Sequence, residues 1–347
     1  MVKKRRLNKG QQRRVKQNQR KRLEQPGLDF DSDQLGPSEQ GRVVSRYGQH
    51  ADIIDNDGVL IRCHIRRAVD SLVCGDRVIW RRATSSTDGM QGVIEAVHDR
   101  ESLLSRPDFY DGLKPVAANV DQIFVISSVL PAFSSQIIDR YIVACEDIHI
   151  EPIIVLNKID LLAELSSNEQ QLINDCLNYY QEIGYKVLKV SSALEHGLTA
   201  MTEKLPGHIS IVVGQSGVGK SSLVNNILPE VGTATKQVSD NSGLGQHTTT
   251  VATWYDLPAG GSLIDSPGIR EFSLWHLEKD RVAWGFKDFR PYLGGCKFRD
   301  CKHRNDPGCA LQQATDTGEI ASWRLQNYHR IIESMDSQKP NRAMPRG

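Results

Sequence analysis

The 347-residue chain contains no long hydrophobic run, and aromatic residues make up only 6% of it. A transmembrane helix needs about 20 consecutive apolar residues, so the sequence predicts no membrane span. No apolar segment follows the basic N-terminus, which argues against a secretory signal. The seven cysteines are an odd number and too few for a disulfide scaffold. We therefore expect a cytoplasmic, reduced protein that, at about 150 residues per domain, has two or three domains.

Acidic residues are absent from positions 1–22, although the whole chain has a formal net charge of +1. This segment carries eleven of the 43 lysines and arginines, which leaves a net charge of −10 on the remainder. A segment of this composition can bury almost no apolar surface and is expected to be disordered when alone. We interpret it as a polyanion-binding tail, with nucleic acid favoured over a solvated tail or attraction to anionic lipid. Its charge alone does not distinguish RNA from DNA.

The apolar pattern divides the chain beyond the tail and its linker into three modules. Residues 1–40 are predicted to be the basic tail and a polar linker, followed over 41–104 by a barrel of about five short antiparallel strands. An OB-type barrel is preferred, although an SH3-like barrel would give a similar pattern. Over 105–274, buried apolar runs alternate with helical segments, which predicts an α/β domain with a parallel sheet covered on both faces. Residues 275–347 are predicted to be a smaller, mainly helical module.

A phosphate-binding loop is indicated by Gly214-Gln-Ser-Gly-Val-Gly-Lys-Ser221, which matches G-x-x-x-x-G-K-[ST]. A predicted strand precedes it and a predicted helix follows, a context that disfavours a chance glycine turn. Its backbone N–H groups would wrap the phosphates, Lys220 would reach the β- and γ-phosphates during catalysis, and Ser221 would bind Mg²⁺. The predicted phosphate-binding residues are Gly214, Gln215, Ser216, Gly217, Val218, Gly219, Lys220, Ser221 and Ser222.

The motif Asn157-Lys-Ile-Asp160 follows a predicted strand and specifies guanine. A carboxylate at Asp160 accepts hydrogen bonds from guanine N1–H and N2–H₂, a donor pair that adenine lacks. Asn157 is expected at the base edge, and the Lys158 stem over the ring. A second loop, Ser191-Ser-Ala193, is expected to close over the base. The predicted guanine-binding residues are Asn157, Lys158, Asp160, Ser191, Ser192 and Ala193.

A magnesium and γ-phosphate switch is predicted at Asp265-Ser-Pro-Gly268, which fits D-x-x-G. Asp265 would hold a Mg²⁺-bound water and the Gly268 amide would sense the γ-phosphate, although an ordinary turn has the same composition. Either Thr249 or Thr250, in the glycine-rich stretch before this motif, is the expected further Mg²⁺ ligand. The predicted magnesium residues are therefore Ser221, Thr249, Thr250 and Asp265.

The Ras-like motif pattern does not supply a residue that could orient the attacking water in this chain. Ras-like enzymes carry a Gln directly after D-x-x-G, where this chain has Ile269, which cannot form a hydrogen bond. His247, beside the switch threonines, is the predicted substitute, with a solvent-exposed loop histidine as the alternative.

A cysteine cluster near the C-terminus has the spacing of a structural zinc site. Three soft thiols and one imidazole lie within fourteen residues and form a closed tetrahedral ligand set. Reduced surface thiols are the alternative interpretation. The predicted zinc ligands are Cys296, Cys301, His303 and Cys309.

The order of these motifs is unusual, because N-K-x-D and the S-S-A loop precede the P-loop. Since all these loops are expected at one sheet edge, circular permutation would preserve the site. Together with the basic tail, the barrel, the G-Q-H-T-T-T switch and the cysteine cluster, this order resembles the circularly permuted GTPases of small-ribosomal-subunit biogenesis, the RsgA, YjeQ or EngC family. The resemblance covers nearly the whole chain.

The resemblance implies an OB-fold, a permuted GTPase domain and a zinc-binding C-terminal domain. It also implies a monomer that binds GTP or GDP with Mg²⁺ and one structural Zn²⁺. The implied partners are the 30S ribosomal subunit and its 16S rRNA, with GTP hydrolysis to GDP and phosphate stimulated by the subunit during late maturation.

Two other functions remain open from the sequence. A nucleotide-sensing, RNA-binding scaffold with vestigial hydrolysis is favoured by the missing Gln, whereas the intact Lys220, Ser221 and Asp265 favour an active enzyme. A P-loop nucleotide kinase is disfavoured by N-K-x-D and by the lack of a recognisable acceptor lid.

Overall fold

The computed structural model of the protein describes residues 35–338, apart from 68, 70, 88, 109–111, 229–251, 267–273, 275 and 305. The described part contains a closed barrel, a two-stranded hairpin, a six-stranded sheet and a set of C-terminal helices. None of its helices combines the length and the apolar character that crossing a bilayer requires.

The N-terminal barrel is built from β1 (Leu35–Tyr47), β2 (His50–Asp55), β3 (Leu60–Ile65), β4 (Arg77–Thr87) and β5 (Met90–Val97). The strands close in the order β1-β2-β3-β5-β4, and β3 pairs with β5 in parallel. This is the order of an OB-type barrel, which confirms the preferred fold over the SH3-like alternative. The interior is filled by fully buried side chains, among them Val43, Ile53, Ile61, Trp80 and Ile94.

The barrel begins and ends at different residues from those expected. Residues 35–40 were expected to be linker, but Leu35 and Ser38 pair with β4 and belong to β1. After the barrel, an unpredicted hairpin is formed by β6 (Leu103–Asp108) and β7 (Gly112–Ala118), and the expected boundary at 104/105 lies inside β6. Both segments have the proline and charge content of loops, and strand pairing overrides that local preference.

Gly75 allows the barrel and the hairpin to pack closely against each other. Its φ of +86° suits glycine, and a Cβ there would collide with the Ala118 carbonyl oxygen. The Asn119 side chain donates from Nδ2 to the Gly75 carbonyl at 2.9 Å and accepts from the Glu101 amide at 3.0 Å. These contacts fix the barrel against the start of the central sheet.

The central sheet contains β8 (Gln122–Ser128), β9 (Pro152–Asn157), β10 (Lys186–Lys189), β11 (Ile209–Gly214), β12 (Thr253–Asp256) and β13 (Ser262–Asp265). Its order is β10-β9-β8-β11-β13-β12, with only β12 antiparallel to its neighbour. Every residue of β8 and β9 is buried, as expected for strands covered on both faces. The predicted α/β sheet is confirmed.

Within the described residues, the strands are connected by four α-helices: α1 (Ser135–Asp147), α2 (Ser167–Glu182), α3 (Thr199–Thr202) and α4 (Lys220–Ile227). Side-chain caps begin two of them. The Ser134 hydroxyl accepts from the Ile137 amide at the start of α1, and Ser166 and Glu169 form a reciprocal capping box at the start of α2.

The C-terminal module is mainly helical, as predicted, with α5 (Lys279–Trp284), a 3₁₀ helix (Lys287–Tyr292), α6 (Ala310–Asp316) and α7 (Ser322–Gln338). It is not a detached unit. Its buried side chains Phe286, Phe289, Leu311 and Ile331 belong to the same hydrophobic cluster as Val143 of α1 and Ile211 and Val213 of β11.

A fully buried arginine joins α7 to α1, one of the helices that connect the strands of the central sheet. Arg324 is 0% exposed and forms ion pairs with Asp139 of α1 and, at 2.6 Å, with Asp288 of the 3₁₀ helix. Asp139 also accepts from Asn327 Nδ2 at 2.7 Å and from the Tyr180 hydroxyl at 2.5 Å. Burial raises the pKa of the Asp139 carboxyl, and the Arg324 guanidinium opposes that shift. The charges are therefore compensated only while both elements stay in place.

Replacing Arg324 with Leu is expected to destabilise the protein by about 3–5 kcal/mol, because two buried carboxylates lose their cation. The matched control is Arg330→Leu, at an exposed position of the same helix, with an expected change within about 0.5 kcal/mol. Urea unfolding measures both variants. Equal stability of the two would contradict the assigned role of the buried ion pairs.

Candidate nucleotide site and metal centre

Four strand ends bring the predicted nucleotide motifs to one edge of the sheet. The strands β8, β9, β10, β11 and β13 are all parallel, so their carboxyl ends face the same side. The N-K-x-D motif begins at the last residue of β9, the S-S-A loop follows β10, the P-loop begins at the last residue of β11, and Asp265 ends β13. From β8 the chain adds strands toward one side of the sheet, and from β11 it adds strands toward the other side. The boundary between β8 and β11 is therefore a topological switch point, which is where open α/β sheets bind ligands.

The P-loop turns sharply between β11 and α4. Gly217 and Gly219 have φ values of +84° and +95°, which suit glycine, and a Cβ on Gly214 would collide with the Ile126 carbonyl oxygen. The Lys220 ammonium donates to the carbonyl oxygens of Gly214 at 2.6 Å and Gln215 at 2.7 Å. Of the remaining predicted phosphate-binding residues, Val218 is buried, whereas Ser216, Ser221 and Ser222 are exposed.

Asn157 was predicted to contact the edge of the base. In the structure its side chain is instead turned toward the P-loop. Its side chain is 1% exposed, and Nδ2 donates to the Val218 carbonyl at 2.8 Å. Lys158, in a left-handed conformation with φ +61°, donates from Nζ to the Gly217 carbonyl at 2.8 Å and to that of Leu130 at 2.5 Å. The reason is proximity: β9 ends only one strand away from β11, and a buried amide is costly unless it is hydrogen-bonded. The N-K pair therefore links two loops.

Asp160 and the S-S-A loop are joined directly. Asp160 lies in a second 3₁₀ helix, Ile159–Glu164, directly after β9, and one oxygen of its carboxylate, Oδ1, accepts from the buried Ser191 hydroxyl. That hydroxyl accepts in turn from the Ala193 amide at 3.1 Å. Ser192 is half-buried and Ala193 exposed. One carboxylate oxygen is thus oriented by the neighbouring loop, and within the described residues the protein donates no hydrogen bond to the other.

Oxygen groups suited to a magnesium ion lie at the other end of this edge. Asp265 ends β13, and Ser221 is the second residue of α4. Burial raises the pKa of the Asp265 carboxyl, and the positive charge of Lys220 lowers it. A carboxylate and a hydroxyl are hard donors of the kind that Mg²⁺ prefers. The predicted residues His247, Thr249, Thr250 and Gly268 lie outside the described residues.

The predicted zinc ligands Cys296, Cys301, His303 and Cys309 come together, with their ligand atoms within 4.8 Å of one another. His303 Nδ1 lies 3.5, 3.6 and 3.5 Å from the sulfurs of Cys296, Cys301 and Cys309. Tetrahedral bonds of about 2.3 Å to sulfur and about 2.05 Å to nitrogen would space these atoms by about 3.6 Å. The cluster is therefore compatible with a zinc site.

Backbone amides support the sulfur ligands. The amides of Ala310, His303 and Gln312 point at the sulfurs of Cys296, Cys301 and Cys309 at 3.4, 3.4 and 3.5 Å, and N–H donors of this kind favour a thiolate. The other cysteines are buried away from the cluster, and burial raises the thiol pKa of Cys63 and of Cys176 to about 12. They are packing residues, as expected.

The comparisons with known proteins agree with this arrangement. The profile of the RsgA GTPase family matches residues 97–275. Two curated proteins named small ribosomal subunit biogenesis GTPase RsgA are similar over almost the whole length. That of Shewanella oneidensis is 56% identical over 346 residues, 98% of this chain and 97% of its own. That of Proteus mirabilis is 55% identical over 344 residues, 97% of each chain.

Two solved structures share the fold. YjeQ from Thermotoga maritima aligns with a TM-score of 0.68 at 30% identity, over 87% of this chain and 100% of its own. YloQ, described as a circularly permuted GTPase, aligns with a TM-score of 0.66 at 26% identity, over 90% of this chain and 99% of its own.

Removing one ligand is expected to empty the metal centre. The protein purified without chelator should hold one zinc per chain, and Cys301→Ser should lose most of it and unfold at a lower temperature. Nucleotide binding should largely persist, because Val218 and Leu223 pack in a different hydrophobic cluster from Cys309. Metal analysis tests this, with Cys176→Ala as the control that keeps its zinc. Wild-type protein without zinc, or full zinc in Cys301→Ser, would contradict the assignment.

Proposed function

The chain belongs to the RsgA GTPase family, and from that premise we propose that it binds the small ribosomal subunit, hydrolyses GTP when bound there and acts in late maturation of the subunit. Its family makes it a GTP hydrolase, so the scaffold and kinase interpretations of the sequence are not retained. The observation that carries the proposal is the meeting of the N-K-x-D, S-S-A, P-loop and Asp265 segments at one sheet edge. The partner follows from the names of the relatives.

Guanine recognition is assigned to the loops after β9 and β10. The Asp160 carboxylate accepts from guanine N1–H and N2–H₂, and the Ser191 hydroxyl keeps that carboxylate oriented. The backbone of Ser192 and Ala193 closes over the base, while the Lys158 stem lies along its face. Asn157 acts one step away, by holding the P-loop through the Val218 carbonyl.

Phosphate binding and hydrolysis are assigned to the P-loop and the switch residues. The backbone amides of 214–219 and the first turn of α4, including Ser222, surround the phosphates, with Lys220 on the β- and γ-phosphates. Ser221, Asp265 and one of Thr249 and Thr250 would hold Mg²⁺, which would stabilise the charge that develops during phosphoryl transfer. Gly268 senses the γ-phosphate, and His247 orients the attacking water, with a ribosomal group as the alternative.

The remaining assignments concern the other modules. We assign residues 1–34 to a basic polyanion-binding segment, 35–118 to the barrel and its hairpin, 119–274 to the GTPase domain and 275–347 to the zinc-binding module. The charge of the first segment and the OB-type barrel favour contact with 16S rRNA. The protein is proposed to act as a cytoplasmic monomer.

Asp160→Asn should exchange base specificity. The amide places a donor where guanine also donates, so GTP affinity is expected to fall by about 10- to 150-fold, while xanthosine triphosphate is bound better. Glu164→Gln, at an exposed position of the same 3₁₀ helix, is the matched control and should leave both affinities unchanged. Titration with fluorescent nucleotides measures both. Unchanged GTP affinity in Asp160→Asn would remove this residue from the base pocket.

GTP turnover with and without purified 30S subunits tests the proposed function. We expect slow hydrolysis alone, strong acceleration by the subunit, and loss of most of that acceleration in His247→Ala with GTP binding retained. His196→Ala, at a histidine exposed after the S-S-A loop, is the control and should be stimulated normally. Fast turnover by the isolated protein, or no stimulation at all, would overturn the proposal, and full stimulation of His247→Ala would overturn the role of that histidine.

A further inference from the structure

Phe298 is an exposed aromatic side chain in the loop that carries the metal ligands. It is 46% exposed and lies between the ligands Cys296 and Cys301. The Cys301 amide donates to the Phe298 carbonyl at 3.4 Å, and the Lys297 amide donates to the Gly308 carbonyl at 3.0 Å. These turns, with metal ligands on either side, fix the backbone at Phe298 and leave its ring at the surface.

Basic residues flank this ring in the loop. Lys297 Nζ lies 5.5 Å from the centroid of the ring, and Arg299 and Lys302 follow in the same loop. Within the part of the chain that the structure describes, neither Arg299 nor Lys302 forms a side-chain ion pair, although the positive charge of Lys302 acts on the nearby Asp306 carboxyl. The nearby carboxylate of Asp306 accepts instead from the backbone amides of Lys302 and Arg304, at 3.0 and 3.3 Å. The loop 296–304 carries four basic residues and one acidic residue, Asp300, so it presents an aromatic face among a net excess of positive charge.

We propose that this zinc-site loop, residues 296–304, binds unpaired RNA. Phe298 stacks on an exposed base, and Lys297, Arg299 and Lys302 bind the phosphates beside it. Every base has a π-face, so an aromatic ring in a basic groove binds single strands with little sequence preference. Base faces inside an A-form helix are covered by their neighbours, which makes unpaired nucleotides the fitting partner. That the RNA belongs to the small subunit rests on the proposed function.

The loop is joined to the GTPase domain by continuous packing. Cys309 and Leu311 belong to the hydrophobic cluster that contains Ile211 and Val213 of β11, the strand that leads into the P-loop. Arg304 is fixed to α7 by an ion pair with Glu333 at 2.5 Å. A preorganised platform loses little conformational entropy when it binds. The loop that carries the ring is therefore fixed before RNA binds.

The proposal is tested with the zinc-loaded full chain, by measuring its affinity for a labelled single-stranded RNA oligonucleotide and for purified 30S subunits. Phe298→Ala should weaken oligonucleotide binding by about 5- to 150-fold, the range for one base–aromatic stack. Phe298→Leu should weaken it comparably, because it keeps apolar volume without a π-face, and Phe298→Tyr should restore it. Leu172→Ala, at an apolar side chain 64% exposed on α2, is the control.

Salt dependence separates stacking from charge. Arg299→Gln and Lys302→Gln should each reduce the slope of log affinity against log salt by about 0.7, the value for one phosphate contact with a single strand. Phe298→Ala should lower affinity with its slope unchanged. Zinc content and GTP affinity should stay at wild-type values in all these variants, which excludes unfolding as the cause.

Two results would overturn the proposal. If Phe298→Ala binds the oligonucleotide as tightly as wild type, the ring stacks on no base. If Phe298→Leu binds subunits like wild type while Phe298→Ala does not, the loop contacts a protein surface instead. A wild-type chain that fails to bind or respond to subunits would overturn the proposed function, and the oligonucleotide measurements still decide the stacking claim.

Discussion

The common direction of five parallel strands is the constraint on which the rest of the structure depends. Because β8, β9, β10, β11 and β13 all end at one edge, loops far apart in the chain become neighbours. Hydrogen bonds then fix these loops to one another: Asn157 and Lys158 hold the P-loop, and Ser191 holds Asp160. The site is assembled by strand pairing rather than by chain order, which is why a permuted sequence can build it.

The strand β11 contacts two different parts of the molecule, because its two faces pack in different hydrophobic clusters. Val212 packs with Val218 and Leu223 beneath the P-loop, whereas Ile211 and Val213 pack in the cluster that reaches the zinc module. The buried Arg324 adds a polar link between that module and α1. A packed core adopts few alternative arrangements, so the nucleotide edge and the metal-site loop are held in one frame.

Local patterns predicted much of this arrangement and tertiary contacts decided the rest. The P-loop, N-K-x-D and the cysteine cluster are short segments whose chemistry depends on spacing, and the structure brings each of them together. The start of β1 at Leu35 and the hairpin after the barrel were missed, since their composition is that of loops and only pairing partners reveal them. The orientation of the Asn157 side chain toward the P-loop and the burial of Arg324 depend on residues that are distant in the sequence. A local sequence pattern carries no information about such contacts.

Amide hydrogen exchange of the full chain, with and without a non-hydrolysable GTP analogue and Mg²⁺, tests most directly whether one site is formed from these separated loops. The account predicts that the analogue slows exchange together in three described segments, 157–160, 191–193 and 214–222, and at Asp265. Protection confined to 214–222, with the loops after β9 and β10 unchanged, would contradict it.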